Sequence, residues 1–262
     1  ARLLDNQFKA IFTYNVETGK KIQITDSMAD AITPVWDKNG EYLYFLASTN
    51  FGLNTGWLDM SSYDRPITRS LYLAVLSKTG KSPLLPESNE ELPKTENGEK
   101  KDNNKSVTVT IDEEGLSQRI IAVDIPDRNY TGLIAGPENH VFYLENIPNQ
   151  TGQTLHRYNF KDRKSEAYLT GVNTATVSFD RKSLLYQANG NWGIVETTGG
   201  AKKPGDGALK ALSGFKIKIT PKEEWEQIYR EGWRYQRDFL YVDNVHGAPW
   251  DEIYEWYKPW VA

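Results

Sequence analysis

Three histidines, His140, His156 and His246, are the side chains of this chain that titrate nearest neutral pH. They stand far apart, which leaves little for metal chemistry, and His140 and His156 fall in strand or turn patterns. His246, flanked by Asp243 and Gly247, has the chemistry of a general base, yet a loop-capping or surface role is the simpler reading. Asp112-Glu113-Glu114 clusters oxygens of the kind a hard cation prefers, but a turn carrying solvated charge accounts for them. Asp59, Ser61 and Ser62 suit a peptide-binding surface or, more simply, hold an insertion against a neighbouring domain. There is no Gly-x-Ser-x-Gly elbow, no His-Glu-x-x-His pair and no Walker-type phosphate loop. Without cysteine there is no disulfide, no thiolate zinc site and no Cys nucleophile. No residue of the chain is therefore assigned a catalytic, cofactor-binding or metal-ligating role.

Composition narrows the classes further. Across 262 residues, 31 Lys plus Arg face 35 Asp plus Glu, and the net charge of −4 argues against a nucleic-acid binder. With 39% hydrophobic residues the chain has material for a sizeable core, and no apolar run of membrane-spanning length interrupts it. The start, Ala1-Arg2-Leu3-Leu4-Asp5-Asn6, lacks Met and has no signal-peptide pattern, so the expectation is an excerpt whose natural N-terminus lies upstream. Such a chain suits cytoplasm or periplasm; cytoplasmic is the expectation, with periplasmic the alternative if a missing leader directed export.

The elements that would position any site are short β-rich runs broken by Gly, Asn, Asp or Pro. Phe8 to Tyr14 turns through Asn15 to Lys20 into a strand ending near Thr25. Leu71 to Leu76 is expected to pair through Ser77 to Gly80 with Pro83 to Leu85, and Leu155 to Phe160 with Glu166 to Leu169. A second element recurs three times, at 32–46, 132–145 and 175–186: an apolar entry, a turn, then an aromatic-aliphatic strand. Units of about forty residues with four strands are the mark of a β-propeller. The fold class is thus mainly β, a partial β-propeller of about three four-stranded antiparallel blades plus a hairpin over 1–215, followed by the first helices of an α-helical core domain over 216–262. Insertions interrupt the blades at 50–69, rich in aromatics, and at 87–106, which reads as a solvated, mobile excursion.

After a strand at Phe215 to Ile219 the period changes. Thr220-Pro221-Lys222-Glu223 predicts an N-cap, a first-position proline and a capping box. In the helix that follows, Trp225, Ile228, Tyr229, Gly232, Gln236, Phe239 and Leu240 fall mostly on one face. A break at 243–247 precedes a second helix from Trp250, ended near Pro259. The eight tryptophans invite a sugar-stacking role, but their crowding in these helices favours helix packing. The aromatic stripe is left without a partner, so a helical domain is expected to begin here and be cut off.

Four stretches carry a resemblance: 44–53 leading to 57–63, 115–120, 190–195, and 224–239 with His246-Gly247 and Trp250. Together they resemble the tricorn-type serine proteases, in the broader S41 family of C-terminal-processing peptidases, over nearly the whole chain. The resemblance implies the end of a second propeller joined to the opening helices of the first core domain, before a PDZ-like domain and a second core domain. It implies a parent that hydrolyses oligopeptides through a His-activated Ser, with the catalytic His, Ser and supporting Ser and Glu all outside this segment. The propeller would gate substrate access, and the parent would be a homo-oligomer whose partners are peptides and its own remaining domains. Two rivals stand beside it. A TolB-like, non-enzymatic propeller binding a peptide or protein has no use for two aromatic-faced helices. A prolyl-oligopeptidase-type hydrolase would show a Gly-x-Ser-x-Gly elbow in the continuation.

Overall fold

A strand that is apolar on both faces has to be covered on both, and this chain's central strands alternate between two cores. The computed structural model describes residues 1–53, 66–86, 107–210, 214 and 216–261. They divide into two compact units, Ala1–Leu209 and Lys210–Ala262.

In the first unit, β1 (Arg2–Leu3) pairs with β2 (Lys9–Ala10), and β3 (Phe12–Tyr14) with β4 (Lys21–Gln23). The first blade is the antiparallel sheet β5 (Asp30–Trp36), β6 (Tyr42–Ser48), β7 (Ser70–Val75) and β8 (Ile120–Ala122). The second is β9 (Tyr130–Ala135), β10 (His140–Glu145), β11 (Gln153–Asn159) and the first half of β12 (Lys164–Val177). β12 then bends near Gly171 (φ +68), and its second half opens the third blade with β13 (Ser183–Ala188) and β14 (Asn191–Glu196). The fourth edge of that blade is a bridge from Ala208 to Gly193.

Three apolar clusters lie between successive sheets. Ile11 and Ile24 of the leading hairpins meet Leu43, Phe45 and Ala74 of the first blade. The opposite face of that blade, Tyr44, Leu46, Leu71 and Leu73, meets Tyr130, Val141, Tyr143 and Phe160 of the second. Phe142, Leu155 and Tyr168 turn the other way, onto Leu184, Tyr186 and Val195 of the third. Neighbours in sequence thus serve different cores: Leu43 and Phe45 one, Tyr44 and Leu46 the next. Each fully buried Leu or Phe stabilises by roughly 2 kcal/mol relative to exposure. The Tyr44 and Phe160 rings stack across the first interface at 4.9 Å.

The repeated hairpins at 32–46, 132–145 and 175–186 form as expected from sequence, and so does the pair β11–β12. Other expectations are corrected. β7 pairs with β8, not with Pro83–Leu85, which lies in a turn where proline lacks the donor a ladder needs. The run from Phe8 is interrupted at Ile11, whose N–H goes to Thr25 Oγ1 at 2.9 Å instead of a strand partner. Residues 216–219 form no strand, while 215 lies outside the described residues. Gly207 and Leu209 take the ladder bonds to β14 instead, at 2.9 Å each. The insertion 87–106 and positions 54–65 of the first insertion also lie outside the described residues.

The second unit holds α1 (Pro221–Phe239) and α2 (Trp250–Tyr257). Pro221 opens α1 with Glu223 and Glu224 in the first turn, where they complement the helix dipole. The capping box does not form: Thr220 is the N-cap but its hydroxyl makes no cap bond, and its carbonyl accepts from Glu224 N–H at 3.1 Å. Tyr229 stacks on Tyr254 at 5.0 Å, and the indoles of Trp233 and Trp250 each donate to the other's carbonyl, at 2.8 and 3.1 Å. Among the described residues no helix is long and apolar enough to cross a membrane.

Two glycines test the backbone argument. Gly152 (φ +70) sits where an added Cβ would lie 2.7 Å from the Gly171 carbonyl carbon, whereas Gly190 (φ +78) has nothing within 4 Å. Gly190→Ala is expected to cost about 1–2 kcal/mol, the left-handed strain alone. Gly152→Ala adds a backbone clash and is expected to cost at least about 1 kcal/mol more than that, read from urea unfolding midpoints. Equal losses would show that the β12 bend yields freely.

Candidate functional site

The turns that link the first two strands of each blade, at 37–41, 136–139 and 178–182, are held together by one side chain. Arg181 Nη1 donates to the Gly136 carbonyl at 3.2 Å, and Nη2 to the carbonyls of Trp36 and Asp37 at 3.4 and 3.3 Å. A guanidinium suits this because its planar fork reaches several acceptors at once. Burial disfavours its charge, and the carboxylate of Asp37 opposes that effect. Local turn chemistry aims it: Asp180 accepts from Ser178 Oγ at 2.6 Å and from Lys182 N–H at 3.1 Å, which leaves Arg181 at φ +62. The Ser178 bond, then the Lys182 amide, holds the Asp180 carboxyl below the usual range. Asp37 organises its own turn in the same way, accepting from Asn39 and Tyr42 N–H at 3.0 Å each.

Beside these turns lies a cleft of about 350 Å³ lined by Lys38, Pro137, Asp180, Lys182, Glu196 and Thr198. Phe179, next to Arg181, is fully exposed. The chemistry the cleft offers is charge of both signs, from Lys38 and Lys182 on one side and Asp180 and Glu196 on the other. No histidine lines the cleft.

A second polar cluster looks more like catalytic machinery. The buried Glu145 carboxylate meets His156 Nε2 at 2.7 Å and Arg128 Nη1 at 3.3 Å. A carboxylate orienting an imidazole is half of a nucleophile-activating relay. The other half is missing, because Ser165 Oγ bonds the Tyr143 hydroxyl and the Tyr143 ring stacks on His156 at 4.9 Å. Burial pushes the His156 pKa down despite Glu145, so the ring is neutral at pH 7 and pins the second blade together. Nearby, the Asp30 carboxylate is fully buried, accepts from Lys9 N–H at 3.0 Å and faces Arg69 at 3.8 Å.

The residues weighed on sequence grounds are dispersed. His246 is exposed in a short 3-10 turn and bonds the Tyr241 hydroxyl at 2.7 Å through Nε2. His140 caps its own turn through Nδ1 and the Glu138 carbonyl at 2.8 Å. Glu113 and Glu114 pair with Lys20 and Lys78, and Asp112 accepts from Lys78 N–H at 2.7 Å, which makes them a tied-down turn. Asp59, Ser61 and Ser62 lie outside the described residues. Among the described residues no cluster of His, Cys, Asp and Glu could hold a metal. Arg181 was not singled out from sequence, and Asp180 beside it was the available signal: a turn-forming Asp followed by a cation.

Known proteins resemble both units. The sequence profile of the tricorn protease C1 domain matches residues 221–262. A tricorn protease homolog of Saccharolobus solfataricus is 27% identical over 255 residues, which covers 92% of this chain and 22% of that protein. Tricorn protease homolog 1 of Streptomyces coelicolor is 23% identical over 245 residues, 87% of this chain and 23% of its own length. The crystal structure of the tricorn protease superposes with a TM-score of 0.67 at 16% identity, covering 97% of this chain and 24% of that one. This chain thus spans about a quarter of the length of these relatives, and the tricorn-type resemblance read from its sequence holds from the blades through the helices.

Two outcomes follow from the polar contacts. Arg181→Ala is expected to lower unfolding free energy by about 2 kcal/mol, and Arg181→Lys to recover less than half, because one ammonium cannot span three carbonyls. His156 has a native pKa below its unfolded value, so the unfolded chain binds more protons as pH falls through about 6.5, and stability declines from there downward. His156→Gln is expected to flatten that part of a urea stability profile; an unchanged slope would place the acid sensitivity elsewhere.

Proposed function

We propose that this tricorn-type chain is the non-catalytic propeller and junction segment of a serine peptidase that hydrolyses oligopeptides, its blades restricting which substrates reach a catalytic core elsewhere in the polypeptide. The observation that carries the reading is the junction: four-stranded blades followed in the same chain by α1 and α2, the part that matches the tricorn protease C1 domain. In this reading a Ser activated by His, with an oxyanion hole, performs the cleavage in the remaining core and PDZ-like domains. Peptides are the substrates, the parent is a cytoplasmic homo-oligomer, and the segment alone is inert.

Physical support for gating comes from the turns clamped by Arg181. Three blades tied through backbone carbonyls form a rim that resists spreading, so selection by width falls on the substrate rather than on the ring. An extended peptide passes such a rim and a folded domain does not.

The test uses the full-length gene product and residues 1–262 in parallel. The full-length protein is expected to release fluorophore from short peptides and to lose that activity to a serine-directed fluorophosphonate, while residues 1–262 release none. Deleting the blades is expected to leave short-peptide cleavage within about threefold and to admit folded protein substrates. Inhibition by a metal chelator instead of the fluorophosphonate would overturn the serine assignment, and unchanged selectivity without the blades would overturn gating.

A further inference from the structure

Three buried side-chain polar atoms make no hydrogen bond among the described residues: Asp30 Oδ2, Thr33 Oγ1 and Arg69 Nε. Two of the three belong to one facing pair. The Asp30 side chain is wholly buried, that of Arg69 is 12% exposed, and Nη2 stands 3.8 Å from Oδ2. An N–H to O hydrogen bond ends near about 3.2 Å, so the two groups do not touch. A carboxylate and a guanidinium left this way forgo the bonds that make burial of charge tolerable. Burial of this kind only deepens as further chain is added around it.

Both side chains are held from behind. Asp30 Oδ1 accepts from Lys9 N–H at 3.0 Å, which ties it to β2. Arg69 Nη1 donates to the Tyr130 carbonyl at 3.2 Å, and the main chains of Arg69 and Arg128 exchange N–H to carbonyl bonds at 2.8 and 3.3 Å, which ties Arg69 to the entry of the second blade. Direct contact between the two groups would strain or break one of these ties. The hydroxyls beside them are engaged elsewhere. Ser48, paired with Asp30 in the sheet, donates to Asn50 Oδ1 at 2.7 Å. Of the residues flanking Arg69, Thr68 Oγ1 accepts from Asn50 Nδ2 at 3.1 Å and Ser70 Oγ donates to Asp127.

Whatever completes this pair has to donate to Oδ2 and accept from the guanidinium at once. A cation would face the charge of Arg69, and an anion that of Asp30. Water does both, and its two bonds of about 2.9 Å each span such a separation. We infer that one buried water bridges Asp30 Oδ2 and the Arg69 guanidinium. This hydrated node joins β2, the first blade and the second at the strand ends opposite the Arg181 clamp. It does not rest on the peptidase reading.

The test is a crystal structure of residues 1–262, at a resolution that shows ordered solvent, beside that of Asp30→Glu. In the unaltered chain one solvent oxygen is expected within about 3.2 Å of both Oδ2 and a guanidinium nitrogen. Asp30→Glu, one methylene longer, is expected to carry its carboxylate onto Arg69 and to lose that solvent peak. The map of the unaltered chain decides the matter even where the variant fails to fold. Direct contact of Asp30 with Arg69 and no solvent between them would overturn the proposal. So would a peak whose contacts fall near about 2.4 Å, the mark of a metal ion rather than water. A solvent peak that Asp30→Glu leaves in place would do the same, since it would not stand between the two groups.

Discussion

No blade of this structure can bury itself. β6 carries Leu43, Phe45 and Ala47 on one face and Tyr44 and Leu46 on the other, and both faces are apolar because a neighbouring sheet covers each. The unit of stability is therefore the interface between blades, and the three clusters are three such interfaces in succession. β12 shows how the chain moves between them: one strand closes the second blade, turns at Gly171, and opens the third.

Apolar stacking sets distance but does little to fix angle. Polar pins do that at the edges. Arg181 ties the inner turns of three blades through carbonyls, and Arg157 reaches from β11 to Glu166 and to the carbonyls of Thr197 and Gly199 beyond β14. His156 and Glu145 act within the second blade. Each of these charged or titratable groups is partly or wholly removed from water, which is tolerable only because its bonds are made inside the protein. The same bonds explain why a carboxylate–imidazole pair with the look of a catalytic relay serves the scaffold: its ring is neutral and stacked, and the nearby hydroxyl is bonded elsewhere.

The helical unit obeys a different rule. Its two helices satisfy each other through reciprocal indole-to-carbonyl bonds and a Tyr–Tyr stack, yet Trp225, Phe239, Trp256 and Trp260 remain exposed. Exposed aromatic side chains occur in both units, Phe179 and Trp192 among the blades and these four in the helices.

Much of this was legible in the chain itself. Period-two runs separated by turn residues located the recurring hairpins, and Pro221 with the 3.6-residue pattern located α1, because both signals are local and repeat within a few residues. The absence of motif chemistry was legible too, but not what the histidines do, since Glu145 and Tyr143 reach His156 only through the pairing of β10 with β11. Tertiary structure alone decided that β8 rather than Pro83–Leu85 pairs with β7, that Gly207 and Leu209 supply the last edge, and that Arg181 reaches back to Trp36. In each case the partner is a backbone amide or carbonyl far along the chain. Every residue has such groups, so the sequence carries no mark of which one will be met; only the stacking of blades brings one carbonyl within reach and leaves the rest outside it.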